Sequence, residues 1–127
     1  MAWSSYQELI VWQKAMDVTV EIYRLVKKLP KEELYELSSQ MRRAAVSIPS
    51  NIAEWHARNS EKEFIHFLSM AQGSKSELET QLLLSVRVHY LSDSDIHHAL
   101  MLLSETGRLL TALIQSLRNT LEARNKN

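Results

Sequence analysis

The scarcity of residues that break a regular backbone is the feature that most limits how this chain can fold. Its 127 residues include only two glycines and two prolines. Sandwiches, barrels and α/β folds need a turn after every short element, and glycine and proline supply many of those turns. The chain therefore favours a few long helices, and its length suits a single domain over residues 1–127.

Apolar residues recur three or four residues apart in four segments, which is the spacing of a helix face buried against other helices. In the first and last segments the rows are Val11, Ala15, Val18, Ile22, Leu25 and Leu29, and Ile96, Leu100, Leu103, Gly107, Leu110, Ile114, Leu117 and Leu121. We predict helices over about residues 8–29, 34–57, 61–90 and 93–122. Four long helices with short connections predict an all-α, antiparallel up-down-up-down four-helix bundle.

Local signals mark where these helices begin, end or bend. The pairs Ser60–Glu63 and Ser92–Asp95 have the spacing of capping boxes, which satisfy the first backbone amides of a helix. Pro49 lies inside the second helix, where it removes a donor, so we expect a tolerated kink or a restart of the helix. A functional bend is the alternative.

A second apolar row runs beside the first on helices one and four. Its members are Leu9, Trp12, Met16, Val20, Tyr23 and Val26 on helix one, and Ala99, Leu102, Leu109 and Leu113 on helix four. A bundle buries about three residues in seven on each helix, so both helices carry a surplus. Left exposed, it would form a larger apolar patch than monomers usually have. We therefore expect the protein to associate with itself.

Charge and cysteine content exclude several classes of function. Fifteen basic and fifteen acidic side chains cancel, so no global field draws the chain to nucleic acid or an anionic membrane. The absence of cysteine excludes disulfides, thiolate nucleophiles and cysteine-ligated zinc. We find neither a signal-peptide pattern nor a run of the roughly 20 apolar residues that span a membrane. These features predict a cytoplasmic protein without a membrane partner.

Two acid–histidine pairs, Glu63 with His66 and Asp95 with His98, are the residues that most resemble a metal site. Di-iron bundles use such a spacing. However, the two pairs start consecutive antiparallel helices, which places them about 40 Å apart at roughly 1.5 Å per residue. The chain also lacks a nucleophile elbow and a phosphate loop. We therefore predict no enzyme, metal or cofactor, and we identify no small-molecule substrate.

The polar segment from Ser38 to Glu54 is explained least well by helix packing. A helix with this many hydrogen-bonding groups is either solvated on that face or contributes to a buried polar network. We expect a structural network that includes Gln40, Asn51, Glu54 and Glu77. The alternatives are a solvated face, a network between subunits, and a contact with an anion or nucleic acid.

Two runs of sequence resemble a known bacterial family. They are YQELIVWQK at residues 6–14 and SQMRRAAVSIPSNIAE at residues 39–54. A third region contributes Glu63, Phe64, Phe67, Leu68, Ala71, Gly73, Ser74, Glu77, Leu78, Glu79 and Thr80. Together they are similar to the four-helix-bundle proteins first noted as reading frames in intervening sequences of 23S ribosomal RNA genes.

This resemblance implies a homopentamer, a relationship to the accessory proteins of diversity-generating retroelements, and no established enzymatic activity. In those accessory proteins the pentamer binds a reverse transcriptase and nucleic acid through basic surface. The chain departs from the family at Trp55, where a glycine usually follows the position of Glu54. The second helix therefore either continues to about Asn59 or gains a hydrophobic contact.

Two functions compete on this basis. The first is a non-enzymatic homo-oligomeric scaffold, which we favour. The second is an accessory protein that acts with an RNA or a reverse transcriptase and binds RNA or DNA weakly. Its candidate residues are Arg42, Arg43, Arg58, Lys62, Arg118 and Arg124. Zero net charge disfavours the second function, although several copies in a ring would multiply a modest patch.

Overall fold

Four α-helices account for most of the chain in the computed structural model, which describes residues 5–54 and 60–126. They are α1 (Ile10–Val26), α2 (Leu37–Ala53), α3 (Glu61–Arg87) and α4 (Asp93–Asn125). Two short 3-10 helices, Tyr6–Glu8 and Lys31–Glu33, precede α1 and α2, and no strand occurs in either described range. The all-α prediction is confirmed.

Each helix packs against two others: α1 against α2 and α4, and α3 against the same two. Ion pairs at the helix ends show that neighbouring helices run in opposite directions. Lys28, just after α1, pairs with Asp95 in the first turn of α4 at 2.9 Å. Arg124, near the end of α4, pairs with Glu61 at the start of α3 at 2.9 Å. The architecture is the predicted up-down-up-down bundle.

The core lies along the bundle axis and is filled by the first apolar row of each helix. Its largest fully buried side chains are Phe64, Ile22, Leu25, Met41, Ile48, Ile52, Leu68, Leu78, Leu82, Ile96, Leu103 and Leu110. Helical periodicity therefore selected the buried face correctly. None of the helices in the described ranges is long and apolar enough to cross a membrane.

The helix bounds differ from those predicted wherever a connection has its own structure. The helix expected from residue 34 begins at Leu37, because Lys31–Glu33 forms a separate 3-10 helix before it. The last helix continues to Asn125, beyond the expected end near residue 122. The expected end of the second helix near residue 57, together with Trp55, lies outside the described residues.

The third helix ends at Arg87 because the chain turns into the left-handed conformation at His89, whose φ is 67°. Tyr90 N–H donates to the Ser85 carbonyl at 2.9 Å, and His89 N–H donates to the Val86 carbonyl at 3.0 Å. This pair of bonds defines a Schellman motif, in which glycine usually occupies the left-handed position. Histidine there carries a Cβ in a region that disfavours it.

Pro49 lies within a helix that continues through it from Leu37 to Ala53. A proline tolerated inside the helix was one of the two expected arrangements, and the restart of the helix is the one that does not occur. Because proline has no N–H, the Ala45 carbonyl loses its usual helical donor. Thr19 of α1 partly replaces that donor, since its single hydroxyl proton is shared between the Ala45 oxygen at 3.1 Å and the Ala15 oxygen at 2.9 Å. A partner helix thus makes the proline tolerable.

The second apolar rows of α1 and α4 differ in how far they are buried. On α4, Ala99 and Leu102 are buried, and Leu109 and Leu113 are half-buried against the core. Most of that row is therefore covered within the chain, and helix four offers less apolar surface to a partner than we expected. On α1, by contrast, Met16, Val20 and Tyr23 are exposed.

Candidate interaction surfaces

A small polar network joins α2 to α3. Ser47 Oγ lies 2.8 Å from Ser74 Oγ, and Asn51 Nδ2 donates to the Ser47 carbonyl at 2.8 Å and to Ser47 Oγ at 2.9 Å. All three residues are half-buried. The network therefore links two helices through hydroxyl and amide groups. Its α2 part follows from the four-residue spacing of Ser47 and Asn51, whereas nothing in the sequence marked Ser74 as their partner.

The other residues expected in this network lie elsewhere. Gln40 is exposed near the start of α2, and Glu54 is exposed at the C-terminal cap of that helix. Glu77 is exposed on α3 and accepts a bond from Gln81 Nε2 at 3.3 Å. The structure therefore groups Asn51 with Ser47 and Ser74 rather than with these three.

The candidate nucleic-acid residues fall into two groups at opposite ends of the bundle. Arg42 and Arg43 lie near the start of α2, whereas Lys62, Arg118 and Arg124 lie at the start of α3 and in the last turns of α4. Because Ser47 lies against Ser74, Arg42 and Arg43 are level with about residues 78–79 of α3, roughly 16 residues or about 25 Å from Lys62 at 1.5 Å per residue. They do not form one surface. Arg58 lies outside the described residues.

Two of the described candidate cations have contacts within the chain, and only one of these contacts is with a carboxylate. Arg124 pairs with Glu61, and Arg42 Nη2 approaches the Leu34 carbonyl at 3.5 Å. Arg43, Lys62 and Arg118 are exposed. Of the candidate cations at the start of α3 and the end of α4, Lys62 and Arg118 form no ion pair within the described ranges.

The acid–histidine pairs form capping and surface contacts. Ser60 Oγ accepts a bond from Glu63 N–H at 3.3 Å, and His66 is exposed beside the ring of Phe67. Asp95 and Ser92 form a complete capping box. Across the described residues, no three His, Cys, Asp or Glu side chains are grouped so that they could hold a metal ion.

Asp95 is the most strongly perturbed acid at the end where α1 meets α4. Ser92 N–H donates to Asp95 Oδ2 at 2.9 Å, and Lys28 Nζ donates to Asp95 Oδ1 at 2.9 Å. These two bonds, with the Ser92 backbone first in effect, lower the pKa of Asp95 from 3.8 to about 2. Nearby, a two-pronged bond from Arg24 lowers the pKa of Glu21. The Lys28–Asp95 contact joins the end of α1 to the start of α4, whereas the Glu21–Arg24 contact lies within α1.

Gly107 lies in the buried row of α4, next to α3. The atoms that a Cβ would meet there belong to the side chain of Lys75, with Cε at 2.7 Å. The glycine therefore makes room for a lysine stem rather than for another backbone. Gln72 Nε2 donates to the Gly107 carbonyl at 3.1 Å, and Lys75 pairs with Glu79, so this open groove of about 560 Å³ already has partners for its polar groups.

An exposed apolar patch covers part of the α1–α2 side of the bundle. We define this α1–α2 patch as Met16 (39% exposed), Val20 (68%), Tyr23 (46%) and Val46 (38%). The three α1 residues share one helix face because they lie three and four residues apart. Val46 follows Ala45, whose carbonyl oxygen contacts Thr19 of α1, so it lies at the same level of the bundle. The patch therefore spans two adjacent helices.

A cleft at the end of the same side carries three cations. Lys27, Lys31 and Arg42 line a space of about 220 Å³ with an apolar floor that includes Leu29 and Leu34. We call it the basic cleft. Within the described ranges none of these three cations pairs with a carboxylate.

A second groove lies on the other side of α2 and carries the opposite charge. Glu33 and Glu36 line a space of about 350 Å³ together with Leu84 and Val88, which are exposed on α3. We call it the acidic groove. The connection between α1 and α2 thus places Lys27 and Lys31 on one side of α2, and Glu33 and Glu36 on the other.

Comparison with solved structures found a close match in fold. A crystal structure of a protein with unknown function, from the S23 ribosomal protein family of Bacteroides thetaiotaomicron VPI-5482, aligns with a TM-score of 0.76 at 29% sequence identity. The match covers 84% of this chain and 96% of that one. A search of curated proteins returned no match.

The sequence also matches the family model described as 23S rRNA-intervening sequence protein, over residues 7–112. The match includes α1 to α3 and the first part of α4. It covers all three regions that carried the resemblance except Tyr6, and it extends that resemblance into the fourth helix. The chain therefore belongs to the 23S rRNA-intervening sequence protein family.

Proposed function

We propose that this protein is a homo-oligomeric scaffold that acts by binding other molecules and not by catalysis. The observation that carries the proposal is the α1–α2 patch, in which four large apolar side chains are exposed on two adjacent helices. Scattered apolar residues are normal on a monomer, but an apolar patch usually marks a contact with another molecule. A second copy of the chain is the partner we propose for it.

The patch is suited to contact because its residues contribute little to the fold of one chain. Val20, for example, is 68% exposed, so covering it in an interface would remove apolar area that folding leaves in water. Each square ångström so removed contributes roughly 25 cal/mol. Five subunits is the number that the family resemblance implies, and we adopt it for the proposal.

Light scattering on a size-exclusion column tests this directly. Five chains of 14.7 kDa have a mass of about 74 kDa, whereas a dimer has about 29 kDa. We expect a pentamer for the native chain. A dimer would retain self-association and reject the number five, and a monomer at micromolar concentration would reject the scaffold.

A paired substitution then locates the interface. Val20→Gln combined with Tyr23→Gln should weaken assembly at least about tenfold, since both side chains lose apolar area in the contact. Met101→Gln on α4 is the matched control, because Met101 is similarly exposed but lies outside the patch. Circular dichroism should show equal helix content in all three proteins. Equal loss of assembly in the control would argue against the α1–α2 patch.

Nucleic-acid binding is the second candidate. It is supported by the exposure of Lys62 and Arg118 at one end of the bundle and by the resemblance to accessory proteins that bind nucleic acid through basic surface. Binding through so few cations should be weak and should fall steeply between about 50 and 200 mM salt. We expect Lys62→Glu with Arg118→Glu to weaken it, and Arg42→Glu with Arg43→Glu tests the other end. Tight binding that is insensitive to salt would exclude this mechanism.

A further inference from the structure

We propose that the basic cleft of one subunit receives the acidic groove of the next, so that the subunits assemble head to tail in a ring. This inference rests on the proposed function and identifies the surfaces that it uses. The occupant of the basic cleft is a second copy of this chain. The argument depends on charge, position and direction.

The charges in both surfaces are available for a partner. In the described ranges, Lys27 and Lys31 form no ion pair, and neither do Glu33 and Glu36. Arg42 only approaches a carbonyl oxygen. Each surface also has apolar side chains beside its charges: Leu29 and Leu34 in the cleft, and Leu84 and Val88 in the groove. A docked pair would thus cover apolar area and match opposite charges.

The two surfaces lie at the same height in the bundle. Both are built from the α1–α2 connection and the first turns of α2, one with the end of α1 and the other with the end of α3. In a cyclic ring whose axis runs parallel to the bundles, every subunit has the same height. The basic cleft of one subunit can therefore meet the acidic groove of the neighbouring subunit, because the two surfaces lie at the same height.

The angle between the two sides suits a small ring. Since each helix packs against two neighbours, the helices occupy the corners of a four-sided bundle whose adjacent sides face about 90° apart. A closed ring needs the two contact faces of each subunit to point about 108° apart for five members, or about 90° apart for four. A two-fold dimer would instead use one face twice.

Charge also opposes that two-fold arrangement. Two basic clefts placed together would bring six cations into contact, and two acidic grooves would bring four carboxylates into contact. Like charges opposed in this way disfavour a wrong pairing more than exposed ion pairs strengthen a correct one. We therefore assign the charges the role of setting direction, while the apolar contacts, including the α1–α2 patch, supply most of the affinity.

Charge reversal tests the pairing. Lys27→Glu with Lys31→Glu makes both surfaces acidic, and Glu33→Lys with Glu36→Lys makes both basic. Each double variant should assemble at least about tenfold more weakly than the native chain. The quadruple variant carries opposite charges again, with the native net charge, and it should recover assembly. It should also fail to form mixed rings with the native chain, because the surfaces that would meet then repel.

A matched control separates this pairing from a general effect of charge. Lys62→Glu with Arg118→Glu makes the same change in net charge at the opposite end of the bundle, and it should leave assembly unchanged. Circular dichroism should give equal helix content for every variant. Loss of assembly in the control, or failure of the quadruple variant to recover, would overturn the pairing.

Crosslinking provides a second measurement, because the native chain has no cysteine. Lys27→Cys places a thiol in the basic cleft, and Val88→Cys places one in the acidic groove. With a short thiol crosslinker, the chain carrying both should give a ladder of linked subunits that ends at the ring number. Each single variant should give no ladder, since a head-to-tail contact brings unlike surfaces together.

These outcomes distinguish the two proposals. A monomeric native chain would refute both the scaffold and the head-to-tail contact. A native oligomer that withstands all charge reversals and gives no ladder would keep the scaffold and refute the contact. Strong crosslinking of either single variant would also refute it, because that result requires a symmetric interface.

Discussion

The hydroxyl of Thr19 lies 3.1 Å from the carbonyl oxygen of Ala45, the oxygen that Pro49 leaves without its helical donor. The contact joins α1 to α2 at the point where α2 would otherwise hold an unpaired backbone group. An unpaired carbonyl in a partly buried position is costly. The proline of α2 and the threonine of α1 are therefore one structural unit.

Removing the hydroxyl should reveal this dependence. Thr19→Val keeps the shape of the side chain but leaves the Ala45 oxygen unpaired, so we expect a loss of about 1 to 3 kcal/mol in the free energy of unfolding. In a Pro49→Ala background the helix supplies its own N–H, and the same substitution should cost less. A double-mutant cycle by urea denaturation at fixed protein concentration measures the difference.

Thr120→Val is the control for this experiment, because the exposed Thr120 hydroxyl bonds only to the Ser116 carbonyl of its own helix among the contacts observed. It should change stability by no more than about 0.5 kcal/mol. Additive effects of Thr19→Val and Pro49→Ala would show that the two residues act independently.

The polar network between α2 and α3 predicts a second stability effect. Asn51→Ala removes the amide that bonds to both the carbonyl and the hydroxyl of Ser47. We expect a loss of about 1 to 3 kcal/mol, since half-buried groups of Ser47 and Ser74 are left with fewer partners. Asn119→Ala on exposed helix surface is the comparison. Equal stability of Asn51→Ala and the native chain would show that water replaces the amide.

The lowered pKa of Asp95 predicts how acid affects stability. Folding favours the carboxylate, so the contribution of Asp95 is complete above its ordinary pKa of 3.8 and is lost as the pH falls towards about 2. Asp95→Asn should therefore be less stable than the native chain near neutral pH, and the gap should close with acid in that window. Thermal unfolding at a series of pH values checks this. A gap that stays constant would assign the effect to packing.

The two glycines predict unequal gains when each becomes alanine. A Cβ at Gly73 meets no atom within 4 Å, so Gly73→Ala should stabilise α3 by about 1 kcal/mol through helix propensity. At Gly107 the Cβ would lie 2.7 Å from Lys75 Cε, and Lys75 must move away from its place beside Glu79. Gly107→Ala should therefore gain less. The denaturant midpoints of the two variants measure these gains in stability. An equal gain would mean that Lys75 can move away at no cost in free energy.

The left-handed residue at the end of α3 offers one more stabilising change. His89→Gly removes the Cβ that is disfavoured at a φ of 67°, while the backbone bonds of the Schellman motif remain. We expect a gain of up to about 1 kcal/mol, the cost of a left-handed conformation for an ordinary residue. Chemical denaturation measures the stability of His89→Gly. The comparison is His97→Gly, which places glycine inside α4 and should destabilise the protein. A loss with His89→Gly would point to an interaction of the imidazole.

The bundle and its core were predictable because both depend on a repeating pattern. The apolar spacing along α1 and α4 and the capping pair Ser92–Asp95 are local signals, and each led to the observed element. The bounds were less predictable where the backbone departs from a simple rule. His89 takes a conformation that glycine normally marks, and Lys31–Glu33 forms its own short helix.

The candidate surfaces were harder to predict because they depend on which residues different helices bring together. No local motif marks Thr19 or Ser74 as a contact residue. Thr19 acquires its role from the Ala45 carbonyl of α2, and Ser74 acquires its role from the Ser47 hydroxyl of α2. Likewise, the residues of the α1–α2 connection read as one polar stretch of mixed charge. Lys27 and Lys31 lie on one side of α2, and Glu33 and Glu36 lie on the other, because α2 packs between α1 and α3.

The even number of helices gives the proposed assembly two unlike faces. The start of α1 and the end of α4 lie at the same end of the bundle, opposite the connections that follow α1 and α3. In a ring of parallel bundles, every such start and end would emerge on one face, and every such connection on the other. A label attached before α1 or after α4 would therefore decorate a single face, which gives electron microscopy a direct view of the sidedness of the ring.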